Sequence, residues 1–196
     1  MKRILDLILS GLVLLVMAIP MIAIAIAIYF QFGMPIVFRQ TRAGQCGKPF
    51  EIVKFRTMRH VKPGEAELET DEQRLTRFGR WLRASSLDEL PELLNVLRGE
   101  MSLVGPRPLL MEYLPLYSAK QARRHEVRPG ITGLAQVSGR NALSWKDRFD
   151  LDVWYVDNHS LWLDMKILGM TIMSVVRREG ISQPGEATMK RFSGNG

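Results

Sequence analysis

Cysteine is nearly absent: the 196-residue chain holds one, Cys46, which excludes an internal disulfide and fits a reducing compartment. Histidine is scarce as well, three in all, and no His–Cys group has the spacing of a zinc site. A nucleophilic serine elbow and a P-loop are missing, as are internal repeats and low-complexity tracts. Acidic residues are in deficit, 20 against 27 Lys and Arg, leaving a net charge of +7. Such an excess points to a polyanionic partner: nucleic acid, an anionic membrane face or phosphorylated substrates. The basic residues do not interleave with aromatics, which argues against nucleic acid. The length suits one globular domain with a core.

What is present begins with an uncharged apolar run from Leu7 to Phe30, roughly 36 Å as a straight helix and long enough to span a bilayer. Pro20 interrupts it, deleting a helical hydrogen bond and kinking the axis. Lys2 and Arg3 precede the run, and Arg39, Arg42, Lys48, Lys54, Arg56 and Arg59 follow it, so positive charge draws both ends to the cytoplasm. A re-entrant helix that enters, bends at Pro20 and returns satisfies both features better than an ordinary span. Ala23, Ala25 and Ala27 imitate a signal-peptidase site, but the apolar core is too long and no polar stretch precedes them.

Beyond the run, Ile36 to Gln40 and Phe50 to Arg56 read as strands around an Ala43–Pro49 turn, with Lys54 and Arg56 on one face. Residues 60–71 read as a surface loop. Leu75, Phe78, Trp81 and Leu82 mark a helix over 71–83 whose other side carries Arg74, Arg77, Arg80 and Arg83, a row suited to lipid phosphates or to solvent. Leu109 to Arg123 reads as a helix bent at Pro115. Residues 128–133 form a loop whose glycines let the backbone approach a ligand. Two capped helices follow, from Trp145 to about Val156 and from Leu161 to about Arg178, the second with Trp162, Ile167, Met170, Met173 and Val176 for packing or an interfacial face. The expected organisation is a membrane helix over 1–33, a cytoplasmic domain over 34–180 and a loosely ordered polar tail over 181–196. The fold class is α/β, mostly α: a re-entrant helix-break-helix joined to a compact domain with interfacial amphipathic helices and a small β-hairpin.

The chain is organised around residues 85–108. Leu87, Leu90, Leu93, Leu94 and Leu97 fall at helical spacing and predict one buried face, while Pro91 belongs in a first turn and sets the helix start at or just after Asp88. Asp88 as an N-cap, or Ser86 with Glu89 as a capping box, explains the polar residues without function. Two adjacent carboxylates among Lys54, Arg56, Arg83, Arg107, Arg128 and Arg140 suggest more. Paired carboxylates without histidine favour Mg²⁺, and clustered arginines suit a diphosphate, so the chemistry is phosphoryl transfer.

KFRTM (54–58), SLDELPELLNVLRGEMSLVGPRP (86–108), RPGITGLAQVSGR (128–140) and WLDMKIL (162–168) occur together and in order. In these motifs the chain resembles the monotopic phosphoglycosyl transferases, bacterial sugar transferases that begin glycan assembly on a polyprenol phosphate, in their minimal form without further N-terminal spans. The resemblance implies a ping-pong reaction at the cytoplasmic face of the bacterial inner membrane. Asp88 attacks a UDP-sugar, expels UMP and passes the phosphosugar to undecaprenyl phosphate; Glu89 holds Mg²⁺ with Asp88 or acts as base, and Arg107 holds a phosphate. It implies the re-entrant helix too, although Ile19 stands where a serine often precedes the kink proline. The segments 108–117 and 139–145 and the ending GEATMKRFSGNG imply N,N′-diacetylbacillosamine as the sugar, in protein N-glycosylation. UDP-N-acetylglucosamine-type sugars, UDP-galactose, and a non-enzymatic membrane-tethered basic module are the alternatives. The sequence leaves the oligomeric state open.

Overall fold

The computed structural model describes residues 1–59, 71–139, 143–177 and 191–194. The expected loop over 60–71 falls almost wholly outside them. Helices α1 (Lys2–Val16) and α2 (Ala18–Phe32) meet at an angle of 62°, and among the described residues no single helix is long and apolar enough to cross a membrane. The break falls at Met17 rather than at Pro20 itself. The physics is still that of the proline: Pro20 has no N–H for the Val16 carbonyl and its ring crowds that group, so the axis gives way in the preceding turn. Without a serine before it, the bend forms all the same.

Both arms return to one body. At the start of α1, Arg3 donates to the Val96 and Leu97 carbonyls at 2.7 and 3.1 Å, and buried Asp6 accepts from the Ser102 hydroxyl and the Leu103 N–H at 2.9 and 3.2 Å. Lys2 reaches Asp164 at 2.5 Å, and Tyr155 donates to the same carboxylate at 2.6 Å. Toward the end of α2, Ile24 and Ile28 pack with Phe55 and Leu82, and Leu87 closes over them. Between these anchors the elbow is apolar outside, with Leu15, Val16 and Ile19 all exposed.

Strands β1 (Val37–Ala43) and β2 (Pro49–Phe55) form the expected antiparallel hairpin, pairing Val37 with Phe55 and Ala43 with Pro49. The helix expected over 71–83 is two pieces, α3 (Asp71–Arg74) and α4 (Arg77–Ala84). Leu75 leaves the helix to bridge Met58, and Thr76 restarts it by accepting the Gly79 N–H. A Cβ on Gly79 would overlap the Thr57 carbonyl oxygen, so glycine lets α4 lie against the strand exit.

A 3₁₀ turn, Leu87–Glu89, leads into α5 (Glu92–Arg98), with Pro91 at its N-cap. The leucine face is only partly right: Leu94 and Leu97 are 39% and 38% exposed, and the buried face is Glu92, Leu93, Asn95 and Val96. Asn95 takes a buried place because it bolts α5 to β2. Its amide donates to the Glu51 carbonyl at 2.7 Å and its oxygen accepts from the Val53 N–H at 3.2 Å, satisfying edge groups of the hairpin.

Residues 109–123 are not one helix. Pro115 lies in a 3₁₀ stretch, Met111–Leu116, and Ser118 starts the short α6 (Ala119–Ala122) through a capping box with Gln121. The expected 128–133 loop contains β4 (Gly130–Thr132), parallel to β3 (Ser102–Val104). Its glycine serves the backbone: a Cβ on Gly130 would overlap Gly105. Helices α7 (Leu134–Val137), α8 (Trp145–Asn158, capped by Ser144) and α9 (Leu161–Arg177) complete the body. Ile167 of α9 is fully buried, while Trp162 and Met173 on the same helix stay exposed. The tail is largely outside the described residues, but Phe192 is buried among Tyr113, Tyr117, Trp145 and Phe149, so this part of it is packed.

Candidate active site

Three elements converge on the 3₁₀ turn that carries Asp88 and Glu89. From β2 comes Lys54, its ammonium 2.7 Å from Glu89 Oε1 and 2.8 Å from Glu92 Oε1. From the segment after β3 comes Arg107, 2.7 Å from the same Glu89 oxygen. From the end of α4 comes Arg83, donating to Thr57 Oγ1 at 3.1 Å and close enough to Asp88 for its charge to act there. Ser86, with φ of 55°, makes no side-chain cap, so the capping-box reading of this turn does not hold. Its left-handed backbone costs about 1 kcal/mol or more and turns the chain sharply between α4 and the carboxylates.

The two neighbours have opposite electrostatics. Asp88 is 8% exposed and makes no hydrogen bond or ion pair among the described residues. Burial, then repulsion from Glu89, pushes its carboxyl up to about 6, against the pull of Lys54, Arg83 and Arg107. For Glu89, burial is outweighed by Arg107 and Lys54, which hold its carboxyl well below the usual range. Glu92, wholly enclosed, is pushed up to about 7 by burial and by Glu89, with Lys54 opposing. Burial works against the Lys54 ammonium too, but Glu89 and Glu92 outweigh it and raise its pKa.

The other expected phosphate ligands divide. Arg56 does not join Lys54: β2 ends at Phe55, and the guanidinium turns back to the Met58, Met34 and Pro35 carbonyls at 3.0, 3.3 and 3.3 Å, over the Phe32 ring. It fastens the exit of α2. Arg128 donates to the Gly99 carbonyl at 2.9 Å and stays exposed. Arg140 lies outside the described residues. Sequence reasoning missed Glu92, whose signal was a carboxylate in the otherwise leucine-rich first turn of α5. It also missed the support of Arg107. Buried Arg124 donates to the Arg107 carbonyl at 2.7 Å and pairs with buried Asp152 at 2.8 Å, beneath the Tyr117 and Phe149 rings.

Among the described residues no group of three His, Cys, Asp or Glu side chains forms a metal cage. The donor set nevertheless fits Mg²⁺ of the kind held by one or two carboxylates and substrate phosphates. Asp88 offers an unengaged carboxylate, and Glu89 engages its cations through Oε1, leaving Oε2 without a hydrogen bond among the described residues.

Known proteins bear on this arrangement. The chain is 52% identical over 196 residues to the uncharacterised sugar transferase EpsL of Bacillus subtilis, covering all of this chain and 97% of that protein. It is 44% identical over 185 residues to a UDP-glucose:undecaprenyl-phosphate glucose-1-phosphate transferase of Caulobacter vibrioides, covering 89% of this chain and 69% of that one. A UDP-galactose-lipid carrier transferase of Erwinia amylovora is 39% identical over 197 residues, 92% of this chain but 41% of that longer one. The bacterial sugar transferase family model matches residues 1–178. A charged turn clasped by cations, on a chain matched along nearly its whole length, belongs to the bacterial sugar transferase family.

Proposed function

We propose that the protein moves a sugar phosphate from a UDP-sugar to undecaprenyl phosphate, with Asp88 as the nucleophile. The observation that carries this reading is the contrast at the turn: Glu89 is locked to Lys54 and Arg107, while Asp88, beside the same cations, has no partner among the described residues. A buried carboxylate left unpaired is costly, and a site keeps one where it reacts.

An Asp88 oxygen forms a bond to the sugar-bearing phosphorus as the bond to the UMP oxygen breaks, so UMP departs with its electron pair. An oxygen of undecaprenyl phosphate then attacks the same phosphorus, and the carboxylate of Asp88 leaves. Lys54, Arg83 and Arg107 neutralise the diphosphate, without which one anion would not approach another. Glu89 is poorly suited to accept a proton, because its own pKa is depressed; it fixes the positions of Lys54 and Arg107. Asp88 and Glu89 are the residues that would hold Mg²⁺, which would add positive charge against the phosphates.

The bent pair supports the membrane placement. An elbow that is apolar outside, with both arms anchored on one body, enters one leaflet and returns, leaving the dyad at the cytoplasmic headgroup level where a soluble nucleotide meets a lipid phosphate. The tethered basic module fares worse, since Lys54 and Arg107 point inward at carboxylates rather than out at a surface. Relatives named for glucose and galactose transfer keep those sugars in play beside N,N′-diacetylbacillosamine. The resemblance carried by segments 108–117 and 139–145 and by the ending GEATMKRFSGNG supports the last.

The test is UMP release from a panel of UDP-sugars with undecaprenyl phosphate, in Mg²⁺ and in EDTA. The reading expects Mg²⁺-dependent release for one sugar and its loss in Asp88→Asn with membrane association kept. Full activity in that variant removes the nucleophile.

A further inference from the structure

Arg42 is a half-buried cation with no task so far. It lies on β1 opposite Phe50, where the strand turns to meet the segment that follows Arg107: Arg42 bridges Leu110, and the Ala43 N–H donates to the Leu109 carbonyl at 3.0 Å. Gln40 accepts from one Arg42 terminal nitrogen and fixes the plane of the guanidinium. The Nε is sealed from solvent and has no hydrogen-bond partner among the described residues. A buried charged donor left unsatisfied is costly, and a native fold keeps one for a reason.

The surrounding charges indicate that reason. Burial, and next the Arg107 guanidinium, work against the charge of Arg42, while Glu92, Tyr113 and Glu112 act in its favour. Glu92 lies within 2.8 Å of Lys54, and Glu89 is taken by Lys54 and Arg107. Glu112 is at the surface. Arg107 keeps Glu89 at 2.7 Å, whereas Arg42 has no carboxylate partner among the described residues. An anion with several oxygens relieves the repulsion, and phosphate matches the guanidinium fork.

We infer that Arg42 and Arg107 form a two-arginine clamp for a phosphate group, making Arg42 a substrate-binding residue beside those on the dyad turn. This deepens the transferase reading and rests on it for the source of the phosphate, which is either the nucleotide diphosphate or the carrier lipid phosphate.

Calorimetric titration of the full-length protein in detergent with inorganic pyrophosphate tests the clamp without turnover. Arg42→Gln is expected to weaken binding at least tenfold and Arg42→Lys by less, because lysine keeps the charge and loses the fork. Arg39→Gln, on the same strand but in an exposed pair with Glu51, should leave binding unchanged. Near-ultraviolet circular dichroism matching the wild type shows that the variants are folded. Unchanged pyrophosphate binding in Arg42→Gln, or an equal loss in Arg39→Gln, overturns the clamp. In the kinetic arm, a raised KM for UDP-sugar assigns the clamp to the nucleotide, and a raised KM for undecaprenyl phosphate assigns it to the carrier. A fall in kcat with both KM values unchanged overturns it. Arg42-dependent pyrophosphate binding in a wild-type protein that releases no UMP would sink the transferase reading and leave the clamp standing.

Discussion

Two buried charge clusters lie on either side of Arg107, and they are built differently. Arg124 and Asp152 are 2% and 3% exposed, matched one to one and roofed by the Tyr117 and Phe149 rings. Around the dyad, Lys54 is shared by Glu89 and Glu92, Glu89 is shared by Lys54 and Arg107, and Asp88 has no partner among the described residues. The closed pair spends its charge on holding the Arg107 backbone in place. The open cluster keeps charge in reserve, as the proposed reaction with a polyanion requires.

Breaking the closed pair should have the largest effect on stability. Asp152→Ala strands a buried guanidinium, and chemical denaturation should report a loss of about 3–5 kcal/mol. Arg124→Met with Asp152→Leu should recover much of that loss, because the pair removed together leaves no orphan.

Opening the other cluster further should stabilise the fold. The Asp88 pKa is raised from 3.8 to about 6. Its folded value lies above the unfolded one, so the carboxyl destabilises increasingly as pH rises between these values, and fully above the higher one. Asp88→Asn removes that burden. In EDTA at pH 7.5 the variant should be more stable by on the order of 2 kcal/mol, the gain shrinking toward pH 4 while activity is lost. In the wild type, kcat/KM should fall below about pH 6 as Asp88 takes up a proton.

A smaller effect should come from the clamp on the first turn of α1. Lys2→Met leaves Asp164 with the Tyr155 hydroxyl as its remaining side-chain partner and should cost about 1–2 kcal/mol in thermal denaturation, with little change in kcat.

The sequence made the dyad, Lys54, Arg83 and Arg107 legible because they lie in short motifs whose chemistry is local. The hairpin, the last two helices and a break in the apolar run were legible for the same reason, through turn residues, caps and a proline. What escaped depends on distant partners. Asn95 lies off the expected leucine face yet is fully buried, because it answers backbone groups of β2. Arg56 leaves the Lys54 face because β2 ends one residue earlier than the pattern suggested and carbonyls near Pro35 claim it. The parallel pairing of β3 and β4 joins segments far apart in sequence, and the glycines there looked like loop chemistry until their backbones met. Lys2, read as the flank of a membrane segment, and buried Asp6, which drew no reading, lock α1 to the body.

The central claim is that Asp88 becomes covalently loaded. Incubating the protein with its UDP-sugar and Mg²⁺, without undecaprenyl phosphate, and analysing the quenched digest by mass spectrometry tests it directly. The account predicts one phosphosugar adduct on the peptide carrying residue 88, formed with one equivalent of UMP and discharged when undecaprenyl phosphate is added. An active enzyme that yields no adduct, or yields it on another residue, would contradict it.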